Sequence, residues 1–513
     1  MKSPCEVEAV PQTSKPLNGS FCPQPQRRFV LIAAILASAL GFIDGSVVAI
    51  AIPAIRADLG ASLADAQWVS NAYALTLGAL ILVGGAAGDR FGLRRTFVVG
   101  IAFFVAASAI CAIAPDTNFL IFARALQGVG AAIMVPGSLA IIAKAYPKEE
   151  RGAAIGIWAA SSALTTALGP VLGGLLLSLD DSVWRLIFAI NLPLGGLAIY
   201  LLLAKVPADA AAAKRSLDAG GAAIATLALG ALAYGLTAMT ADNGGSSPQQ
   251  SMIFVIAGLA LLVGFIFWEM RQSEPMVDLS LFAARAFSGA NLATFFLYFA
   301  LSGILFYLPM LLIAGWGLSA AATGFIFLPL SAAIALFSGP VGKLSDRIGP
   351  HLPIAVGSLV VAAAFAGLAI QTGLGFHGFW SGVFPLMTLM GLGMALVVSP
   401  LSTAIMTAVE DKDTGAASGI NNAVSRVAGL VAVAAMGVVA AFRHASIAGD
   451  SGAPGFGEPT AANLPTEIES VRIMAGDQAF SAVAWTTAAL CVLAAVTAWV
   501  TVSGKGVAPK GQK

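Results

Sequence analysis

Apolar residues in this chain do not alternate with polar ones. They run together in blocks of about twenty, parted by short polar joints. Fourteen such runs stand out, at 29–52, 67–87, 97–114, 119–143, 153–177, 186–204, 219–240, 251–268, 289–313, 320–340, 352–371, 380–409, 414–441 and 480–502. A helix needs about 20 mostly apolar residues to cross a bilayer. Each run therefore predicts a spanning helix, and the fold class expected is an all-α polytopic membrane protein whose first partner is the lipid bilayer. Residues 1–28 are polar and Pro-rich, with no apolar face to fold on, and predict a disordered tail. That tail lacks a signal-peptide pattern, so the first helix is expected to be both anchor and insertion signal. Residues 503–513 predict a second tail, and 443–479 predict a long, acidic outer loop.

Composition narrows the function. The 513 residues are 58% hydrophobic and only 10% charged, with a mean hydropathy of +0.88. A soluble domain carries about 25% charged residues, so a water-soluble enzyme is excluded. The 27 Lys and Arg are matched by 26 Asp and Glu, which leaves no basic excess for a nucleic-acid partner. Glycine is abundant, at 56 residues, as close-packed membrane helices require. Cys5, Cys22, Cys111 and Cys491 are scattered, and His351, His377 and His444 show no ligand spacing, so no metal and no cofactor is expected. Neither a Ser-His-Asp set nor a phosphate-binding loop of an ATP-driven pump is present in the pattern.

The basic residues orient the chain. With the N-terminus inside and fourteen alternating helices, 21 of the 27 Lys and Arg fall in inside segments, 4 in outside segments and 2 within helices. This asymmetry follows the positive-inside rule and predicts both termini in the cytoplasm, in a plasma (inner cell) membrane. An internal repeat is also legible. "GAAGDRFGLRR" follows helix 2 and "GKLSDRIGPH" follows helix 10, so that Gly85, Asp89, Arg90 and Gly92 align with Gly342, Asp346, Arg347 and Gly349 at an offset of 257. "RGAAIGI" before helix 5 aligns with "TGAASGI" before helix 13 at an offset of 263. Two similar offsets predict two six-helix halves, 29–204 and 289–502, joined by 205–288 with an extra helix pair. Such duplication is common in secondary transporters, whose site lies between the halves.

Three formal charges fall inside the runs: Asp44, Arg124 and Arg426. An ionisable residue at bilayer depth costs at least ~2.5–3.5 kcal/mol, which makes each a functional candidate. Asp44 lies roughly 12 Å from the outer end of helix 1 and Arg124 roughly 8 Å from the outer end of helix 4, at 1.5 Å per residue. Their similar depth predicts that they pair in at least one state. A carboxyl that alternates between neutral and charged would serve a proton-coupled carrier; the plainer reading is a bond to neighbouring backbone. Arg124 could equally snorkel to the interface. Arg426 has no acid left to pair with, and could meet helix-end carbonyls or an anionic substrate group. Gln127, Asn291 and Asn421 could line a substrate cavity or bridge helices. In "GPVLGG", Pro170 bends the helix, while Gly169, Gly173 and Gly174 permit close approach. The segment reads as a hinge, a seal or a simple kink.

These motifs together resemble the major facilitator superfamily, and within it the fourteen-helix drug:proton antiporter subfamily. Gly85-x-x-x-Asp89-Arg90-x-Gly92 resembles its loop signature, "RALQGVGAA" its helix 4 motif and "GPVLGG" its antiporter motif. "IDGSVVAIAIP", "WRLIFAINLPLG" and "FWEMRQSEPMVDLSLF" resemble further signatures of the fourteen-helix group. The chain departs from that pattern at Ser46 and Ala49, where relatives usually carry Thr and Asn, and it has no acid in the run 320–340. The resemblance implies a monomeric antiporter that exchanges protons for small lipophilic drugs or toxic metabolites by alternating access. The rivals are a major facilitator importer or symporter, an exporter of one specific metabolite, an anionic one included, and a non-transporting membrane sensor.

Overall fold

The computed structural model describes residues 22–209, 218–240, 247–410, 413–458 and 464–502. Among these there are fourteen helices long and apolar enough to cross a membrane, and no strand. They are α1 Gln24–Leu59, α2 Leu63–Phe91, α3 Leu93–Ala112, α4 Thr117–Ala145, α5 Glu150–Leu177, α6 Trp184–Lys205, α7 Ala219–Ala238, α8 Pro248–Glu269, α9 Arg285–Gly315, α10 Ala320–Ile348, α11 His351–Gly373, α12 Phe379–Thr407, α13 Thr414–Ala448 and α14 Thr466–Thr501.

Local chemistry sets the joints. Gly60, at φ +63°, ends α1 in the left-handed conformation that only glycine adopts freely. Ser62 then opens α2 with a capping box: its hydroxyl accepts from the N–H of Asp65, whose carboxylate accepts from the N–H of Ser62. Ser247 and Gln250 open α8 in the same way. The two signature loops share one backbone device. Gly92, at φ +91°, separates α2 from α3, and Gly349, at φ +85°, separates α10 from α11. The sequence repeat is thus a repeat of backbone conformation.

Helices α1–α6 pack as one bundle and α9–α14 as another, with α2 against α13 and α5 against α10 between them. The inserted α7 docks on α2 and α13, whereas α8 packs chiefly on α7 and exposes a run of large apolar side chains, among them Ile253, Ile256 and Phe267. Bonds that join the bundles are found toward the side opposite the termini, called here the far side. There Gln67 of α2 donates to the Tyr307 hydroxyl of α9 over 2.8 Å, and Tyr307 donates to the carbonyl of Val433 on α13. Arg56 donates to the carbonyls of Phe456 and Gly457. Toward the termini side a Cβ added at Gly152 or Gly156 of α5, or at Gly339 of α10, meets no atom within 4 Å.

Two expected boundaries shift. Helix α1 begins at Gln24, inside the tail expected over 1–28; residues 1–21 and 503–513 lie outside the described residues. The outer loop expected over 443–479 is cut back at both ends, because α13 runs to Ala448 and α14 starts at Thr466, and residues 459–463 between them lie outside the described residues. Polar residues that read as loop are satisfied within helices. Arg472 pairs with Glu469 one turn earlier and donates to the carbonyls of Ala314 and Gly315. Asp477 accepts from the Trp316 indole at 2.7 Å and lies 2.7 Å from His377 Nε2. The acid inventory of the helices changes with this, since Asp477 is 3% exposed and belongs to α14, so Asp44 is not the only buried carboxyl in them.

Candidate functional site

Helix α1 brings Asp44 to the middle of the first bundle, and α4 brings Arg124 and Gln127, one turn apart, to meet it. The three are 0%, 1% and 0% exposed, which leaves no route for the charges to be solvated from outside in this state. Arg124 Nη1 donates to Asp44 Oδ2 at 2.5 Å and to Gln127 Oε1 at 2.6 Å, and its Nε donates to the carbonyl of Val69 on α2. Gln127 Nε2 donates to the other Asp44 oxygen at 2.8 Å and to Ser108 Oγ on α3. Asn191 of α6 donates to the same hydroxyl, and the Cys111 thiol to Gln127 Oε1. The guanidinium carbon lies 4.3 Å from the ring centre of Tyr73 and 5.7 Å from that of Phe188, an arrangement that favours a desolvated cation. Five helices therefore converge on one neutral ion pair, and both carboxylate oxygens have donors. Arg124 is held by three acceptors and two rings, so it stays placed when the carboxylate is neutralised.

The other expected residues divide. Gln127, read as lining a cavity or bridging helices, sits inside this network. Asn421 donates to Thr294 at 2.8 Å and to Asn291 at 3.3 Å, and Asn291 donates to the carbonyl of Phe287, so the two asparagines bridge α9 and α13. Arg426 stands on α13 opposite Gly78 of α2, where an added Cβ would come within 3.4 Å of Arg426 Cβ. In α5, Gly169 packs on Ser46 and Ile43, and Gly173 on Val47, all of α1. Gly174 faces the backbone of Ala320 in α10, and Gly324 faces the backbone of Pro170, 2.6 Å from an added Cβ. Small residues of the two bundles thus meet backbone to backbone. In the signature loops Asp89, Arg90, Asp346 and Arg347 are exposed.

Several features of the fold escape a sequence reading. Tyr73, Ser108 and Phe188 are ordinary helix residues until the fold aims them at one point. Trp316 and His377 face a far-side cleft of about 480 Å³ whose other wall is Pro53, Ala54 and Ala57. On the termini side Asp209 accepts from the N–H groups of Leu93 and Arg94, at the start of α3, and from Lys144 at 2.8 Å. Burial alone would raise its carboxyl, but the Lys144 ammonium and the two amides outweigh that and hold it below the usual carboxylate range.

The sequence profile of the Major Facilitator Superfamily matches residues 34–433 and again 292–512. The chain is 32% identical over 439 residues to the tetracenomycin C resistance and export protein of Streptomyces glaucescens, covering 84% of this chain and 78% of that one. It is 34% identical over 453 residues to the puromycin resistance protein pur8 of Streptomyces alboniger, covering 87% and 88%. A solved bacterial homologue of the human lysosomal transporter Spinster, in an inward-facing and unoccupied conformation, shares its fold with a TM-score of 0.66 at 17% identity, over 93% of this chain and 98% of that one. A D-xylose–proton symporter does so with a TM-score of 0.62 at 15% identity. The chain is a multi-pass membrane transporter, not an enzyme, and belongs to the Major Facilitator Superfamily.

Proposed function

We propose that this chain is a proton-coupled exporter of small lipophilic compounds, working by alternating access in the plasma membrane with its termini in the cytoplasm. The observation that carries the reading is the Asp44–Arg124 pair, 2.5 Å apart and buried among five helices. Protonation of Asp44 removes the ion pair while Val69, Gln127 and the two rings keep Arg124 in place, and the two arrangements of the network differ by one proton. With the termini inside, a molecule joined across its far side is inward-facing, the state in which a cytoplasmic compound enters. A relative named for tetracenomycin C resistance and export, and another named for puromycin resistance, support efflux as the direction. One proton moving down 100 mV is worth about 2.3 kcal/mol, enough for an accumulation ratio of roughly fifty at RT ≈ 0.59 kcal/mol.

The test is proton flux in vesicles reconstituted with the full chain, driven by puromycin, tetracenomycin C or other compounds found by an efflux panel. The wild type should couple substrate movement to proton movement. Asp44→Asn fixes the neutral form and should retain exchange while losing uphill export. Coupling that survives in Asp44→Asn assigns the proton to another group, and export that stops on ATP depletion while surviving an uncoupler removes the proton reading altogether.

A further inference from the structure

The inserted helix pair carries a carboxylate pair that the transport network does not use. Asp218 caps the start of α7: its Oδ1 accepts from the N–H of Gly221 at 2.7 Å and from the Trp268 indole at 3.1 Å. Glu269, the last residue of α8, is 2% exposed, and its Oε2 accepts from the N–H of Val277 at 2.9 Å. The remaining oxygen of each, Asp218 Oδ2 and Glu269 Oε1, is buried without a hydrogen-bond partner. Both oxygens stand 2.5 Å from the point that a Cβ on Gly221 would occupy, which puts them within about 5 Å of each other. Gly221 is the only residue type that leaves room for them.

Two carboxylates this close, Glu269 buried and Asp218 half-buried with its facing oxygen buried, do not both ionise readily unless something positive lies between them. Neither bonds to a Lys, Arg or His among the described residues. On the elements packed around them the charged groups are few. In the segment after α8, Arg271 and Glu274 are exposed, and Asp278 accepts from Ser280. Lys214 and Arg215, which precede Asp218, lie outside the described residues. The donor missing from both oxygens is a single hydrogen, which would satisfy the two at once.

We propose that Asp218 and Glu269 share one proton, forming a carboxyl–carboxylate clasp that ties the termini-side ends of α7 and α8 together. The clasp also reaches the second bundle. Glu269 Oε2 fixes Val277, and Val277 lies in the segment that leads into α9. Loss of the proton sets two anions against each other and frees that segment; its return restores the tie. The ligand is a proton taken from the termini side, at a site separate from Asp44.

Infrared pH titration of the intact chain in lipid nanodiscs tests this. In an Asp44→Asn background, which removes the transport carboxyl, a protonated-carboxyl band should be present at neutral pH and vanish on raising the pH. Adding Glu269→Gln should abolish that band, and adding Asp218→Asn should abolish it equally, because either acid alone keeps no shared proton. Thermal stability should fall with rising pH in the parent and lose that slope in both variants, since the native pair holds a proton that the unfolded chain releases. A band that persists in both variants overturns the proposal. So does its absence from the Asp44→Asn parent at neutral pH, a result that needs no variant of the pair to fold. A band displaced at fixed pH by Na⁺, K⁺ or Mg²⁺ overturns it too, and assigns the oxygens to a metal cation. None of these results bears on export, which rests on Asp44.

Discussion

Arg124 is the residue on which the buried network turns, because it meets an acid, an amide, a carbonyl and two rings at once. Removing one member of a buried pair costs about 3–5 kcal/mol by stranding the other, whereas replacing both with neutral groups of similar volume is far cheaper. Arg124→Gln should therefore lower the unfolding temperature sharply, and Asp44→Asn with Arg124→Gln should recover most of the loss. Thermal unfolding in detergent checks this, and a double variant as unstable as the single one would show that the pair is not the coupled unit. The pairing was legible in the sequence because charges inside apolar runs have so few possible partners. Ser108 and Tyr73 were not, since a helix can satisfy serine on its own backbone and tyrosine reads as packing. Asp477 was hidden for another reason: the polar stretch around it reads as loop until Trp316 and His377 are seen to bond it.

Between elements, the far-side seam of α5 and α10 depends on having no side chain at Gly174 and Gly324. Leucine at either position collides with backbone, which cannot yield as a side chain does. Gly174→Leu and Gly324→Leu should leave the protein folded and inserted but hold the far side apart. The check is labelling from the far side of a cysteine placed at Ser46, in a chain freed of its native cysteines: labelling should rise in both variants as transport falls. The "GPVLGG" segment was visible as a close-packing device, but its second partner, Gly324, was not, because nothing in the sequence says which helix of the other bundle it meets. Asp209 makes a second element-scale prediction. Its folded-state carboxyl titrates below the unfolded value near 3.9, so the stabilisation is complete above that pH and is lost as pH falls through the lower folded value. Asp209→Asn should lower the unfolding temperature at about pH 7 and flatten its decline toward about pH 3; an unchanged decline would place the acid sensitivity elsewhere.

For the whole molecule, opening the far side has to break the Gln67–Tyr307 bond, which joins α2 of the first bundle to α9 of the second, while Tyr307 is also held within its own bundle on the Val433 carbonyl of α13. Thr240, just beyond α7, donates to Gln67 Oε1 at 3.3 Å, so the inserted pair is attached to the same bolt. Tyr307→Phe removes the hydroxyl and leaves Gln67 Nε2 buried without its acceptor, which costs about 1–3 kcal/mol in the state shown here. That penalty falls on the closed far side alone, and should move the population toward a far-side-open form. Spin labels at Ser62 and Glu467, one on each bundle, should report a longer distance in Tyr307→Phe than in the wild type; equal distances would make this bond a passive contact. The count of helices, the two halves and the repeat were all readable from hydropathy and glycine spacing. The side on which the halves close was not, because it depends on which of two packings is populated, and both use the same residues.

Asp209 carries a consequence for how the chain can be divided. By accepting from the start of α3 and from Lys144 at the end of α4, it fastens the stretch after α6 back onto its own bundle. The first bundle thus carries its own clamp within residues 22–209, and owes the polypeptide link to α7 little beyond proximity. Two fragments made by opening the chain between Asp209 and Asp218, expressed together, should find each other in the membrane and restore efflux. Opening it a few residues earlier, on the near side of Asp209, should give fragments that insert but do not pair productively, with the acid stranded on the wrong piece.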